Sequence, residues 1–312
     1  MKKIIIDTDP GQDDAVAILL ALASPQELDV VGIVAVAGNV GLTQNVKNAL
    51  KVVELSGRSD IPVYAGCQRP LRRPLVTAEH VHGQTGLDGP DLPDPEIAIQ
   101  PTHGVDYIIE TLMNEPAKTV TLCALGPLTN IAMALIKQPA IAERIAEIVL
   151  MGGGYFEAGN ITPAAEFNIY VDPEAADVVM RCGAPITIQP LDVSHGMQAT
   201  PPRLDAIKQI GNKTGAAVHA MLSFSETFDL KKYGWAGAPL HDPTVIAYLL
   251  RPELFEGRKC NVTIETASEL TVGMTVVDYW HVTDRPRNAT YLRHGDADGY
   301  FSLLTERLAR LP

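Results

Sequence analysis

Ile4-Ile5-Ile6-Asp7-Thr8-Asp9-Pro10-Gly11-Gln12-Asp13-Asp14-Ala15-Val16-Ala17-Ile18-Leu19-Leu20 is the stretch that decides the fold. An apolar, β-branched run ends in a cluster of carboxylates and passes at once into an apolar helical pattern. The stretch therefore predicts a buried strand, a tight acidic turn and a helix start. At an effective dielectric of about 20, two carboxylates ~6 Å apart repel by about 2.8 kcal/mol. Such a turn either takes up protons or binds a cation. Oxygen-only donors favour a hard ion, calcium or magnesium, over zinc. The competing reading is a solvated turn in which an Asp caps the helix.

Working outward, short apolar runs at 3–7, 28–37, 62–65, 119–125, 147–151 and 185–189 read as strands. Amphipathic stretches around 13–23, 43–56, 102–114, 127–137 and 173–182 separate them. This alternation predicts an α/β fold, a doubly wound and mainly parallel sheet with helices on both faces. Ligands of such sheets sit at the carboxyl ends of the strands, where Asp7 to Asp14, Ala37-Gly38-Asn39 and Leu125-Gly126 fall. Beyond residue 200 the texture changes to helices at 203–210, 214–230 and 244–250. Strand-like runs near 260–266, 272–280 and 288–293 and a closing helix follow, a C-terminal helical and β extension. No linker-like stretch divides the chain, so residues 1–312 are expected to form one domain.

Composition excludes several classes of partner. The net charge of −12 comes from 37 acidic against 25 basic residues, without a basic run, which argues against nucleic acid and anionic membranes. Four widely spaced cysteines, with no CxxC pair, are expected to be reduced core residues. No apolar run approaches the ~20 residues of a membrane span and no signal-peptide pattern opens the chain, so the expected compartment is the cytoplasm.

Three further polar groups stand out. Within the irregular, Pro- and Gly-rich segment 66–100, His80 and His82 lie two apart and in an extended chain would share a face. Glu166 and Asn168 are likewise two apart, and an extended backbone would aim both at one side with the donors and acceptors that sugar hydroxyls need. Asp172-Pro173 and Asp242-Pro243 both carry helix-capping grammar, although a cap such as Asp242 can still present its carboxylate to a cation.

Taken together, in order and spacing, these pieces closely resemble the inosine/uridine-type nucleoside hydrolases. The resemblance rests on Asp7 to Asp14, Ala37-Gly38-Asn39, His82-Gly83, Leu125 to Asn130, Met151 to Gly154, Ala165 to Asn168, His241-Asp242-Pro243 and Gly273 to Asp278. It implies the nucleoside hydrolase fold and a calcium-dependent hydrolysis of the N-glycosidic bond of ribonucleosides, giving ribose and free base. It also implies that Asp9, Asp14, Asp242 and the backbone carbonyl of Leu125 hold the calcium ion. The family often has Thr at position 125, but a carbonyl ligand tolerates Leu. Asp9 is then the general base for the attacking water. Asp13 and Asn39 match positions that grip the ribose diol, Asn160, Glu166 and Asn168 those that hold the rest of the sugar, and Met151 one packed beneath it. His82 and His241 fill the family's two histidine positions, with His241 assigned to the leaving base. Asp7 has no assigned contact.

The resemblance also implies a homo-oligomer, a tetramer or dimer. The segment Lys232 to Leu240 is similar to that of pyrimidine-preferring members, whereas Ala199-Thr200-Pro201-Pro202 is similar to broader ones, which leans the expectation to uridine and cytidine. Two alternatives compete with this reading. A strand followed by Asp-x-Asp also opens the haloacid-dehalogenase-type magnesium phosphohydrolases, but leaves Asp13, Asp14, Glu166, Asn168 and Asp242 without roles. A non-catalytic nucleoside-binding protein on the same scaffold would keep the same polar positions. An EF-hand fits more poorly still, because Gly11 stands where a third ligand is expected and Ile18 at the twelfth position, where Glu belongs.

Overall fold

The computed structural model describes the backbone of residues 1–312 and every side chain except those of 226–229 and 231. The strands in chain order are β1 (Lys2–Thr8), β2 (Leu28–Ala35), β3 (Val63–Ala65), β4 (Val120–Ala124), β5 (Ile145–Met151), β6 (Ile186–Gln189), β7 (Gln198–Ala199), β8 (Ala238–Pro239), β9 (Phe255–Ile264), β10 (Thr275–Asp278) and β11 (Ala289–Gly295). The first helices are α1 (Gln12–Leu22), α2 (Leu42–Leu55), α3 (Glu79–His82), α4 (Gly104–Asn114), α5 (Thr129–Lys137) and α6 (Phe167–Val171). There follow α7 (Pro173–Met180), α8 (Leu191–Ser194), α9 (Pro201–Lys208), α10 (Lys213–Tyr233), α11 (Pro243–Leu250) and α12 (Ala297–Leu308).

Nine strands form one sheet in the order β10-β9-β11-β6-β5-β4-β1-β2-β3. Neighbours from β3 through to β11 run parallel, and β9 and β10 finish that edge antiparallel. The chain runs outward from β1 to β3, then returns to β4 on the other side of β1. The strand order therefore reverses between β1 and β4, and the crevice for a ligand opens at their carboxyl ends.

β1 shows why the sheet is covered on both faces. Ile4, Ile5 and Ile6 are all fully buried, with Ile4 and Ile6 in one core beside α1, α11 and α12 and Ile5 in the other beside α4, α5 and α7. A strand buried on both sides cannot alternate with polar residues, hence its unbroken apolar run. α1 is similarly enclosed: only Asp13 is not fully buried, so the helix has no wet face.

One expectation changes in detail. The strand expected over 28–37 ends at Ala35, because the amides of Val36 and Ala37 turn to the carbonyls of Thr8 and Cys67. The C-terminal extension joins the main sheet, since β11 pairs parallel with β6 and brings β9 and β10 into it. All four cysteines are free, Cys123 and Cys260 buried and Cys67 and Cys182 partly so. Among the described residues no helix is long and apolar enough to cross a membrane.

Candidate active site

The acidic turn is folded by its own carboxylates. Asp14, in the first turn of α1, accepts from the amide of Gly11 at 3.0 Å, the hydroxyl of Thr8 at 2.5 Å and the amide of Asp9 at 3.2 Å. These bonds satisfy orphan amides at the helix start, where the helix dipole also favours negative charge. Asp9 accepts from the amide of Asn39 at 2.7 Å through Oδ2, while its Oδ1 is buried without a partner. Two glycines make room for that carboxylate: a Cβ on Gly38 would stand 2.0 Å from Oδ2, and one on Gly126 2.2 Å from Oδ1.

Asp242 sits at the N-cap position of α11 but makes no capping bond. One carboxylate oxygen each of Asp13, Asp14 and Asp242 lie within 4.8 Å of one another. Asp13 rather than Asp9 thus completes the tightest acidic triplet among the described residues. Burial first, and the charge of neighbouring carboxylates second, Asp14 for Asp9 and Asp13 for Asp242, push the carboxyls of Asp9 and Asp242 far above the ordinary range, and those of Asp13 and Asp14 also rise with burial. Crowded, desolvated carboxylates and a partnerless buried oxygen form a donor set of hard oxygens, which a divalent cation would satisfy. Leu125, just past β4, borders the same cleft, and its carbonyl accepts from Asn168 Nδ2 at 2.6 Å. Asp7 stands behind, bonded through Oδ2 to Asn130 Nδ2 at 2.8 Å, and burial pushes it up to about 8.

The facing wall corrects one expectation. Glu166 and Asn168 do not share a face of an extended chain; Glu166 is the N-cap of α6 and Asn168 lies in its first turn. Glu166 accepts from the amides of Asn168 at 2.8 Å, Ile169 at 3.2 Å and Gly153 at 2.9 Å, and burial pushes it up to about 7. Its own capping bonds bend the chain into the helix, and the carboxylate and amide meet at the cleft through that turn. Asn160 accepts from the amide of Phe167 at 2.9 Å, and the Met151 sulfur lies 3.6 Å from Asn168 Nδ2.

His80 and His82 also leave the extended chain, since 79–82 form the short helix α3, yet both border the cleft. His82 Nδ1 is 2.7 Å from Gln12 Oε1, and Gln12 Nε2 donates to the carbonyls of His82 and Asp88 at 2.9 and 3.0 Å. His241 Nδ1 is 2.7 Å from Ser194 Oγ. Burial pushes His82 down to about 4 and His241 down to about 3.

All these groups border one cleft or stand directly behind it. Its acidic end is formed by Asp13, Asn39, Leu125 and Asp242, its facing wall by Met151, Asn160, Glu166 and Asn168. Val81, Ile161, Phe167, Leu222 and Tyr233 add apolar lining, and His82 and His241 border the same cleft. Gln12, Ser194 and the α8 turn carrying Asp192 do not stand out in the sequence. Asp192 accepts from the amides of Tyr155, Phe156 and Glu157 at 3.0, 2.6 and 2.9 Å, fixing the loop after β5. Their one legible signal is position: Asp192 and Ser194 follow the carboxyl end of a parallel strand.

Residues 4–302 match the family model described as inosine-uridine preferring nucleoside hydrolase. The pyrimidine-specific ribonucleoside hydrolase RihA of Photobacterium profundum is 48% identical over 309 residues, covering 99% of each chain. A solved plant nucleoside hydrolase, the PpNRh1 enzyme, superposes with a TM-score of 0.92 at 35% identity over 99% of both chains. The purine-preferring ribonucleoside hydrolase from Gardnerella vaginalis superposes equally well, TM-score 0.92, at 31% identity over 99% of this chain and 98% of that one. The chain belongs to the inosine-uridine preferring nucleoside hydrolases, and is thereby an N-glycosyl hydrolase of ribonucleosides.

Proposed function

We propose that the chain is a calcium-dependent ribonucleoside hydrolase that favours pyrimidine ribosides. One observation carries the metal: Asp9 Oδ1 is buried and partnerless next to the mutually repelling carboxylates of Asp13, Asp14 and Asp242. Asp9, Asp14, Asp242 and the Leu125 carbonyl are the residues that hold the ion. A bound calcium ion supplies fixed positive charge for the ribose diol and makes a neighbouring water more acidic.

The remaining roles follow from what each side chain can donate or accept. Asp9 removes the proton of the attacking water. Asp13 and Asn39 hold the diol, while Asn160, Glu166 and Asn168 hold the rest of the sugar and Met151 packs beneath it. By analogy with glycoside hydrolysis, positive charge grows on the ribose as the bond breaks, and the carboxyl groups of Asp13 and Glu166 stabilise it in their ionised form. His82 and His241 stand on the side of the departing base, where negative charge develops. The magnesium phosphohydrolase reading has no place for Glu166 and Asn168.

The pyrimidine preference is supported by the 48% identity to a relative named pyrimidine-specific and by the segment Lys232 to Leu240. Kinetics on uridine, cytidine, inosine and adenosine test it: kcat/KM is expected to be highest for the two pyrimidine ribosides. Chelation should abolish hydrolysis and calcium should restore it. Full turnover by exhaustively demetallated protein would refute the metal assignment, and an inosine kcat/KM above that of uridine would refute the base preference.

A further inference from the structure

Two buried side-chain amides tie the segment that carries His82 to the acidic turn. Gln12, between Gly11 and Asp13, donates from Nε2 to the carbonyls of His82 and Asp88 at 2.9 and 3.0 Å, and its Oε1 lies 2.7 Å from His82 Nδ1. Asn48, on α2, donates from Nδ2 to the carbonyl of Thr85 at 2.7 Å and to that of Pro10 at 2.9 Å. Its Oδ1 accepts from Gln44 at 2.8 Å, so each of the two amides has partners for its oxygen as well as its nitrogen.

These bonds carry weight because apolar packing holds little of the segment. Among residues 79–90 only Gly86 and Leu87 are buried, so one leucine is its whole apolar anchor. The segment is instead braced within itself. Asp88 accepts from the amide of Gln84 at 3.0 Å and from the hydroxyl of Thr85, and the amide of Gly86 donates to the carbonyl of Gly83 at 3.1 Å. Gly83, at φ +82°, is required in this turn, since a Cβ there would stand 2.0 Å from Asp88 Oδ2. A self-braced loop moves as one piece, and its place is set where it is anchored. Just before it, the amide of Ala78 donates to the carbonyl of Asn39 at 2.8 Å; inside it, the anchors are Gln12 at His82 and Asp88 and Asn48 at Thr85. Gly11 completes the fit, because a Cβ on it would stand 2.6 Å from His82 Nδ1.

We propose that Gln12 and Asn48 are positioning residues for His82, which fix the place of that histidine relative to the carboxylates of the acidic turn. This rests on the reading of His82 as a group on the side of the departing base. The sugar end and the base end of the cleft are then kept in register by the same two amides. Loss of an anchor lets the segment shift as a unit and carries His82 off the base while Asp13 and Asp14 stay in place. Such a displacement slows the departure of the base more than it weakens binding.

Hydrogen exchange on the calcium-loaded enzyme, read by mass spectrometry, measures the anchoring directly. In Gln12→Met, which keeps the length of the side chain but removes its bonds, and in Asn48→Ala, peptides covering 80–90 should exchange about tenfold faster, with β1 and α5 unchanged. Gln12→Met should lower kcat for uridine about tenfold at a KM within about twofold. Its kcat/KM for nitrophenyl riboside should fall less than about twofold, since a good leaving group needs little help. In a His82→Ala background the same substitution should cause no further loss on uridine, because residues that act through one contact are not additive. Should Gln12→Met fail to fold, Asn48→Ala carries the same comparison in the His82→Ala background. Unchanged exchange over 80–90 in both variants, or a full further loss on top of His82→Ala, overturns the proposal. Equal losses on both substrates in His82→Ala would refute the base-side reading of His82 alone, and the exchange measurement still decides the anchoring.

Discussion

The side-chain amide of Asn168 donates to the backbone carbonyl of Leu125 across 2.6 Å. One residue assigned to the sugar therefore touches one atom assigned to the ion, and the two halves of the site are mechanically joined. Asn168 also reaches the carbonyl of Met151 at 3.2 Å, so its amide ties the end of β4 to the end of β5.

Asn168→Ala should consequently weaken ion binding as well as catalysis. Residues that orient a ligand typically change metal affinity by about 10- to 100-fold when removed. Calcium titration by calorimetry without nucleoside is the direct measurement, and a loss of about tenfold in affinity is expected. An unchanged calcium affinity, with activity reduced, would confine Asn168 to the sugar.

The legibility of this site in the sequence follows from how far apart its partners lie. β1, the acidic turn and α1 are readable because strand, cluster and helix start are contiguous, and Asp14 bonds Gly11, Thr8 and Asp9 within six residues. Asp242 reads first as a cap, because Asp-Pro before an apolar run fixes the helix start but not the direction of the carboxylate. For Glu166 and Asn168 the sequence pattern points to the site through a geometry the chain does not adopt; three backbone amides converging on Glu166 decide the helix, and one comes from Gly153. Gln12 and Ser194 leave no local trace, since their histidine partners lie 70 and 47 residues away. The same non-locality hides the parallel pairing of β11 with β6, which no pattern in either strand announces.

Stability at acid pH should depend on a pair far from the cleft. Arg307, 2% exposed, bonds Glu27 through both Nη1 and Nη2, the latter at 2.9 Å. The hydrogen bond from Arg307 holds the Glu27 carboxyl below its ordinary value of 4.5. A carboxyl depressed in the folded state contributes stability above its unfolded pKa and loses it as pH falls through the folded pKa. Because Glu27 is partly exposed, the contribution is discounted to about 1 kcal/mol. Glu27→Gln should thus lower the denaturation midpoint at pH 7, with the gap to the unmodified protein closing below about pH 4.5. A gap that stays constant from pH 7 to pH 3 would show that the loss is packing rather than charge.

Sugar chemistry and base chemistry should separate in two variants. Glu166 is held by three amides against the sugar side of the cleft, so its charge acts on the ribose whatever base departs. Glu166→Gln keeps the shape but removes the charge, and should lower kcat/KM for uridine and for nitrophenyl riboside alike, by about 100-fold, the scale of a preorganised electrostatic contact. His241, on the base side, should matter only where the leaving group needs help. His241→Ala should lower uridine hydrolysis by about 100-fold and nitrophenyl riboside by less than about threefold, with calcium still bound through Asp242. Ratios of kcat/KM between the two substrates cancel any folding defect common to both. If Glu166→Gln discriminates between the substrates as His241→Ala does, the carboxylate acts through the base end of the cleft, and its assignment to the ribose is wrong.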